Sequence, residues 1–574
     1  MPTPFSARKA APGGLIGLTE RVRRGLRAGH VHWGSPRNLG DPIVSANGTV
    51  VGDATTQTTP ARRGGANLSG RYEQLSTGRY LKAKATKPEG MSGRKSEQLV
   101  VAMKAGNRSK GPAGAKGLPD HGTLEGKTME ITSSHTVSTK QQRIAELARQ
   151  LSGVPFTSLA HRMDVDWLRE AFARTRKDGA TGIDGQTALD YSTNLEANLQ
   201  SLLDRAKAGD PYKAPPVRRT FIPKSDGTLR PLGIPTFEDK VLQRAVVMLL
   251  EPLYEQDFLD CSYGFRPKRS AHQALEAIWT QLTRMGGGWV VDADIRQYFD
   301  TLDHACLREI LDKRMRDGVV RRLIGKWLKA GVLDKGCLTY PETGSPQGGV
   351  ISPMLANIYL HEVLDVWFEQ EVRPRLRGQA FLVRYADDFV MGFALEEDAR
   401  RVMDVLPKRF EKFGLQIHPD KTRLVAFEKP KEPRDPNGGP GNFDFLGFTH
   451  HWAKGRKGYW MVKRKTSKKR FSRAIKTIGD WLRKNRHRPV ADQQKTLKQK
   501  LQGHYNYYGI TGNSKALGSF LYMVIRLWKK WLCRRSQKAG FNWPVMERLL
   551  KRYPLPPAIA KRSTLRWGAA TTVM

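Results

Sequence analysis

Apolar residues take up a regular spacing only from about residue 137 onward. In TKQQRIAELARQL, Ile144, Leu147 and Leu151 fall on one stripe, which predicts a helix. Ahead of it, residues 1–135 are rich in Gly, Ser, Thr and Pro, hold neither the helical nor the strand period, and are expected to be mostly disordered. Farther on, Trp289 to Asp300 (WVVDADIRQYFD) reads as a buried strand, with Asp292 and Asp294 on one face and Val291, Ala293 and Ile295 on the other. A helix should follow at Asp303. Phe381 to Phe393 (FLVRYADDFVMGF) has apolar runs on both sides of Asp387-Asp388, the pattern of a hairpin with two carboxylates at its tip. Thr220 to Pro235 (TFIPKSDGTLRPLGIP) predicts another hairpin, closed at Asp226-Gly227, with Lys224 and Arg230 on its arms.

The run MLANIYLHEVLDVWF is helical by Leu355, Ile358, Tyr359, Val363 and Val366, and a Pro/Gly-rich loop is expected from Lys429 to Asn442. Beyond it, helical and basic stretches alternate. In Phe520 to Arg535 an apolar stripe of Phe520, Val524, Leu527, Trp528 and Trp531 leaves Arg526, Lys529, Lys530 and Arg534 largely off it, with Arg535 closing the run.

Charge adds a direction. The 574-residue chain carries a formal net charge of +42, so a polyanion, and first of all nucleic acid, is the expected partner. That charge is uneven: +13 over residues 1–140, +1 over 141–450 and +28 over 451–574. A balanced middle between cationic ends indicates a catalytic body whose strongest polyanion-binding surface is C-terminal. The apolar runs at Val246 to Leu250 and Phe520 to Ile525 are short and flanked by charge, so no membrane partner is expected. Four scattered cysteines (Cys261, Cys306, Cys337, Cys533) and the lack of a secretory apolar segment point to a reducing compartment, and no CxxC pair offers a zinc site. Either translation begins near Met103 or Met129, or residues 1–135 form a basic RNA-binding tail; oligomeric state is left open.

A lone Asp-Asp pair is usually a solvated turn. A strand carrying Asp, followed downstream by a hairpin carrying Asp-Asp, is the arrangement that holds two metal ions roughly 3.5–4 Å apart across an in-line phosphoryl transfer. An all-carboxylate site suits Mg²⁺, two ions being expected, with Mn²⁺ able to substitute.

These segments resemble those of reverse transcriptases. YADD, Tyr385 to Asp388, looks like their signature hairpin, and DIRQYFD, from Asp294, looks like the first catalytic strand of the group II intron enzymes. The resemblance implies Asp294, Asp387 and Asp388 as catalytic metal ligands. It favours Asp294 over Asp292 because Phe299 then stands where the family has an aromatic gate against the ribose 2′-hydroxyl. SPQGG around Gln347, the hairpin with Lys224 and Arg230, and HPDKTR with Lys421 match segments that the family places around the nucleotide. YGFRPKRS adds Arg266, Lys268 and Arg269 near the template path, and FDFLGF matches the primer grip. Asp164 to Thr187 resembles an N-terminal extension of group II intron and non-LTR enzymes, and QGHYNYYGITGN resembles the maturase domain X motif; Tyr505, Tyr507 and Tyr508 there either stack on bases or pack.

The resemblance implies an α/β (α+β) right-hand polymerase: fingers and palm over 136–450 with an antiparallel palm sheet, an α-helical thumb/domain X over 451–565, and a tail at 566–574. It also implies RNA-directed DNA synthesis from dNTPs on an RNA template and primer. Further implied are binding and splicing of a host group II intron RNA, mobility into target DNA, and action in the bacterial cytoplasm, at the nucleoid when on DNA. Arg526, Lys529, Lys530, Arg534 and Arg535 are the C-terminal candidates for nucleic-acid contacts. With no CxxC pair, an HNH endonuclease is not expected. Two rivals are a splicing cofactor with a dead polymerase and a reverse transcriptase domesticated for defence; intact aspartates oppose the first and the domain X match the second.

Overall fold

The computed structural model describes residues 125–562 except 209–211, 224–228, 335, 341–343, 345–347, 431–440, 456 and 537–540. The expectations for residues 1–124, Lys224, Gln347, the Asp226-Gly227 turn and the 566–574 tail therefore lie outside the described residues.

A central four-stranded antiparallel sheet carries the acidic motifs, in the order β6 (Ala380–Tyr385), β7 (Asp388–Phe393), β3 (Trp289–Ala293), β8 (Arg423–Ala426). It is buried on both faces, which is why its strands read as nearly continuous apolar runs. Strand alternation divides the side chains cleanly. Val291, Ala293, Leu382, Phe389, Met391 and Phe393 join the main core with the helices Ser352–Leu360 and Glu396–Glu411. Val290, Phe381, Val383 and Val390 face the other way, onto Ala274, Leu275, Ile278 and Leu282 of the helix Ala271–Met285.

A second sheet, in the order β2 (Leu229–Ile234), β1 (Val217–Pro223), β4 (Val332–Asp334), β5 (Cys337–Thr339), is built on the predicted hairpin, with β1 and β2 paired from Arg218↔Ile234 to Pro223↔Leu229. A third joins β9 (Phe443–Phe445), β10 (Phe448–Lys454) and β11 (Trp460–Thr466), and its Phe443, Phe448, Trp452 and Val462 share the core under the central sheet. In the second sheet β1 runs parallel to β4, while its other pairings are antiparallel. The helices Lys468–Lys484, Val490–Tyr508, Ser514–Cys533 and Trp543–Arg552 follow, around a core of their own.

Two elements depart from the pattern. The first described helix runs Glu125–Gln150, starting inside the stretch expected to be unstructured, and its buried face is Val137, Ile144 and Ala148, while Leu151, just past its end, is exposed. The run after Ser352 is helical as expected, but from His361 to Val372 it winds with i→i+5 bonding. That wider winding turns Asp365 into the core and leaves Val366 only half-buried.

Candidate active site

The site lies at one end of the central sheet. In the β3–β7 register Asp292 pairs with Val390 and Ala293 with Phe389, so one further step brings Asp294 opposite Asp388. Tyr385 pairs with Asp388 across β6 and β7, leaving a two-residue turn of Ala386 and Asp387 at the predicted hairpin tip. Ala386 takes φ +59°, a left-handed conformation that costs a residue with a Cβ about 1–2 kcal/mol. Among the described residues the other non-glycine positions with positive φ are Phe265, Lys268, Gln297 and Leu446, each in one of the motifs singled out from the sequence. Such strain persists where the surroundings over-determine it, and it gathers at functional sites.

The acids differ in their surroundings. Asp294 accepts from Nζ of Lys421 at 2.5 Å, and Asp292 from both Nε and Nη2 of Arg423 at 3.1 Å. Lys421 is delivered by the chain at 416–418, which runs against the end of β3: the amide of His418 donates to the carbonyl of Asp294 and that of Arg296 to Gln416, both at 2.8 Å. Asp388, the first residue of β7, is exposed to solvent yet closely surrounded by protein. Burial, followed by the charges of Asp387 and Asp294, pushes its carboxyl up to about 7, with Arg470 opposing. Asp387 is raised by burial and by Asp294, while Arg230 and Arg384 pull it back. Burial also raises Asp292 against the pull of Arg423.

Among the described residues no three acidic, His or Cys side chains converge closely enough to hold a cation as they stand, Asp294 being turned to Lys421 instead. The donor set nonetheless fits a hard divalent ion. Asp387 and Asp388 are adjacent carboxylates, closely surrounded by protein, whose mutual repulsion no side-chain cation in contact among the described residues relieves.

Phe299 is half-buried, edge-on to Tyr298 at 5.2 Å, and its carbonyl backs onto Gly344, where a Cβ would lie 2.8 Å from it. The turn that leads into SPQGG is thus seated on the segment carrying Phe299. Arg230 stands exposed on β2, close enough to bear on Asp387.

Two candidates for nucleic-acid contact must be corrected. Arg266 is buried: its guanidinium meets Glu255 at 3.0 Å and the carbonyls of Leu259, Ser262 and Phe258, so it braces its own loop. Arg535 is taken up by the carbonyls of Arg486 and Arg488, which bind the turn after Lys468–Lys484 to the end of Ser514–Cys533. Arg269 pairs with Asp260 at 2.5 Å, whereas Lys268 is exposed. Arg526, Lys530 and Arg534 are exposed, and Lys529 lies over the Trp543 ring at 5.4 Å. The three tyrosines pack: Tyr505 is buried, Tyr507 and Tyr508 lie against Phe448, and the Tyr507 hydroxyl donates to Leu446 at 2.8 Å.

Sequence reading passed over Arg384, Asp365 and Arg470. A charged residue inside the apolar run FLVRY was the available signal, since arginine is almost never fully buried unless paired.

Residues 222–450 match the family described as reverse transcriptase (RNA-dependent DNA polymerase). The chain is 37% identical over 298 residues to protein YkfC of Escherichia coli, covering 45% of this chain and 76% of that protein. It is 39% identical over 246 residues to the group II intron-encoded protein LtrA of Lactococcus lactis, covering 41% of this chain and 40% of LtrA. A match at 28% identity over 181 residues reaches nuclear intron maturase 2 of Arabidopsis thaliana, covering 25% of this chain and 24% of that protein. No helix among the described residues is long and apolar enough to cross a membrane.

Proposed function

The chain belongs to the reverse transcriptases of the group II intron-encoded kind, and on that premise we propose that it is an RNA-directed DNA polymerase that also binds its host intron RNA, assists its splicing and supports its mobility into DNA. The observation that carries the polymerase reading is the strained turn of Ala386 and Asp387, which sets two adjacent carboxylates opposite the end of the strand bearing Asp294. In the reaction the 3′-hydroxyl of a primer attacks the α-phosphate of a dNTP and pyrophosphate leaves. Asp294, Asp387 and Asp388 would hold the Mg²⁺ ions, which when bound lower the pKa of the attacking hydroxyl and neutralise charge on the phosphates. Arg230 and Lys421 would meet the triphosphate and Phe299 would exclude a 2′-hydroxyl; the roles at the triphosphate for Lys224 and at the nascent base pair for Gln347 rest on the sequence motifs alone.

Fingers and palm are assigned to 136–450 and the thumb with domain X to 451–565; the cationic helices of the latter supply the phosphate contacts to RNA. The splicing role rests on likeness to intron-encoded proteins, of which LtrA is matched over 40% of its length. A site of action in the cytoplasm, at the nucleoid, follows from an intron RNA and a DNA target. Primer extension on an RNA template tests the reading: Asp387→Asn and Asp294→Asn should abolish it, while intron RNA binding stays within a few-fold. Retained synthesis in both variants would sink the site assignment.

A further inference from the structure

Behind the Ala386-Asp387 turn lies a buried ion pair that none of the steps above uses. Arg384 on β6 and Asp365 on the wide-wound helical stretch are each 0% exposed, with Nε to Oδ1 at 2.7 Å and Nη2 to Oδ2 at 2.5 Å. The remaining nitrogen, Nη1, donates to Oδ1 of Asn357 and to the carbonyl oxygen of Ala386, both at 3.0 Å. Asn357 in turn donates to the carbonyl of Gly264 at 2.7 Å. Gly264 presses so closely on the turn that a Cβ there would stand 2.2 Å from the amide nitrogen of Ala386. Backbone bonds complete the grip, from Arg384 to the carbonyl of Cys261 at 2.8 Å and from Tyr263 to the carbonyl of Arg384 at 2.9 Å.

A buried ion pair is a poor way to gain stability, because an apolar pair of similar volume often serves as well or better. What an apolar pair cannot supply is the bond to the Ala386 carbonyl. That bond holds one end of a peptide in a left-handed conformation that alanine disfavours, and Gly264 closes off the other end. The next residue is Asp387, on whose carboxyl the Arg384 charge also bears.

We propose that Arg384, oriented by Asp365 and Asn357, is a positioning residue for nucleotidyl transfer: it locks the left-handed turn at Ala386 and so fixes where Asp387 and Asp388 point relative to Asp294. It touches neither primer nor nucleotide. This inference rests on the polymerase reading. Its expected signature is a loss in the rate of chemistry per active site with binding intact, since small misplacements of reacting groups are costly in rate.

The test uses the full chain on an RNA template with a DNA primer, with active sites titrated by a pre-steady-state burst. The double variant Arg384→Met with Asp365→Leu removes both charges together and keeps the packing. It should keep the melting temperature, the template–primer Kd and the KM for dNTP, while kcat per titrated site falls by roughly 30-fold or more. Arg384→Lys, which retains a charge for Asp365 but has no second arm for Ala386, should show the same split; it decides the matter alone if the double variant does not fold. The proposal is overturned by kcat per site within about threefold of wild type, or by a fall in kcat that merely tracks weakened affinity and a lowered melting temperature. A wild-type chain that makes no DNA, or an Asp387→Asn variant that still makes it, would instead break the polymerase reading itself.

Discussion

Nζ of Lys421 lies 2.5 Å from Oδ2 of Asp294, so one of the three aspartates assigned to the metals already carries a counter-ion within the chain, while Asp387 and Asp388 have none in contact among the described residues. A cation binding to that oxygen has to compete with the ammonium. The pair is partly exposed, and such pairs are worth about 0.2–1 kcal/mol, so the competition is worth roughly fivefold at most. Lys421→Met should therefore lower the Mg²⁺ concentration needed for half-maximal primer extension by that factor, and should raise the KM for dNTP because the triphosphate is left without one of its cationic partners. Titration of Mg²⁺ at saturating and limiting dNTP measures both. An unmoved Mg²⁺ midpoint would mean that Lys421 leaves Asp294 without cost.

Phe299 sits between the catalytic strand and the turn leading to SPQGG, half-buried against Tyr298. Phe299→Ala should admit ribonucleotides by relieving the clash with the 2′-hydroxyl, and should cost roughly 2 kcal/mol of stability, less than a fully buried phenylalanine would. Single-nucleotide incorporation of dNTP against rNTP is the measurement. Unchanged discrimination in a folded variant would put the gate elsewhere.

The raised carboxyl of Asp388 makes a stability prediction whose sign is fixed. A group that holds its proton more tightly folded than unfolded stabilises the fold at low pH, and this contribution is lost as pH rises from the ordinary carboxylate value of 3.8 toward about 7. In chelator at about pH 8 the ionised pair is therefore a liability, and Asp388→Asn should melt above wild type. The gap should close below the ordinary carboxylate value and should narrow when Mg²⁺ is added to wild type. Thermal melts across pH, with and without chelator, check this; a variant that melts below wild type at the alkaline end would contradict the assigned electrostatics.

The parts of this site that could be read from the sequence are those written in local patterns. Asp292, Asp294, Asp387 and Asp388 stood out because strand alternation places acids against apolar neighbours, and the helix expected at Asp303 does begin there, with Asp303 capping it by accepting from the amide of Cys306 at 2.7 Å. Long-range partnerships were not readable. Nothing local says that Arg384 will meet Asp365 from the helical stretch packed on the sheet, or that Arg423 will meet Asp292 from β8. The same limit misassigned Arg266 and Arg535: both sit in basic, polar-looking runs, and only tertiary folding turns their guanidinium groups onto internal carbonyls. The wide winding from His361 was also hidden, because Val363 and Val366 continue the stripe of an ordinary helix and only the burial of Asp365 betrays the change of period.

The C-terminal basic helix separates cations that are free from cations that are already engaged, and this decides which variant tests RNA binding. Arg526, Lys530 and Arg534 recur every four residues along one exposed row, resting beside the rings of Tyr522 and Trp531 with no ion pair among the described residues. Arg535, by contrast, ties two carbonyls of the 486–488 turn to the end of its helix. Every phosphate that goes unneutralised should reduce the slope of log affinity against log salt by roughly 0.7–0.9. Arg526→Gln, Lys530→Gln and Arg534→Gln together should thus flatten the salt dependence of intron RNA binding by about two units, allowing for one weak partner among the three. Extension of a short primer–template at low salt should survive, and splicing assistance should not. Arg535→Gln should do the reverse, costing roughly 1–3 kcal/mol of stability through unsatisfied carbonyls while leaving the salt slope nearly unchanged. Wild-type slope and splicing in the triple variant would show that the row is merely solvated, and would move intron recognition to the fingers or to the N-terminal extension.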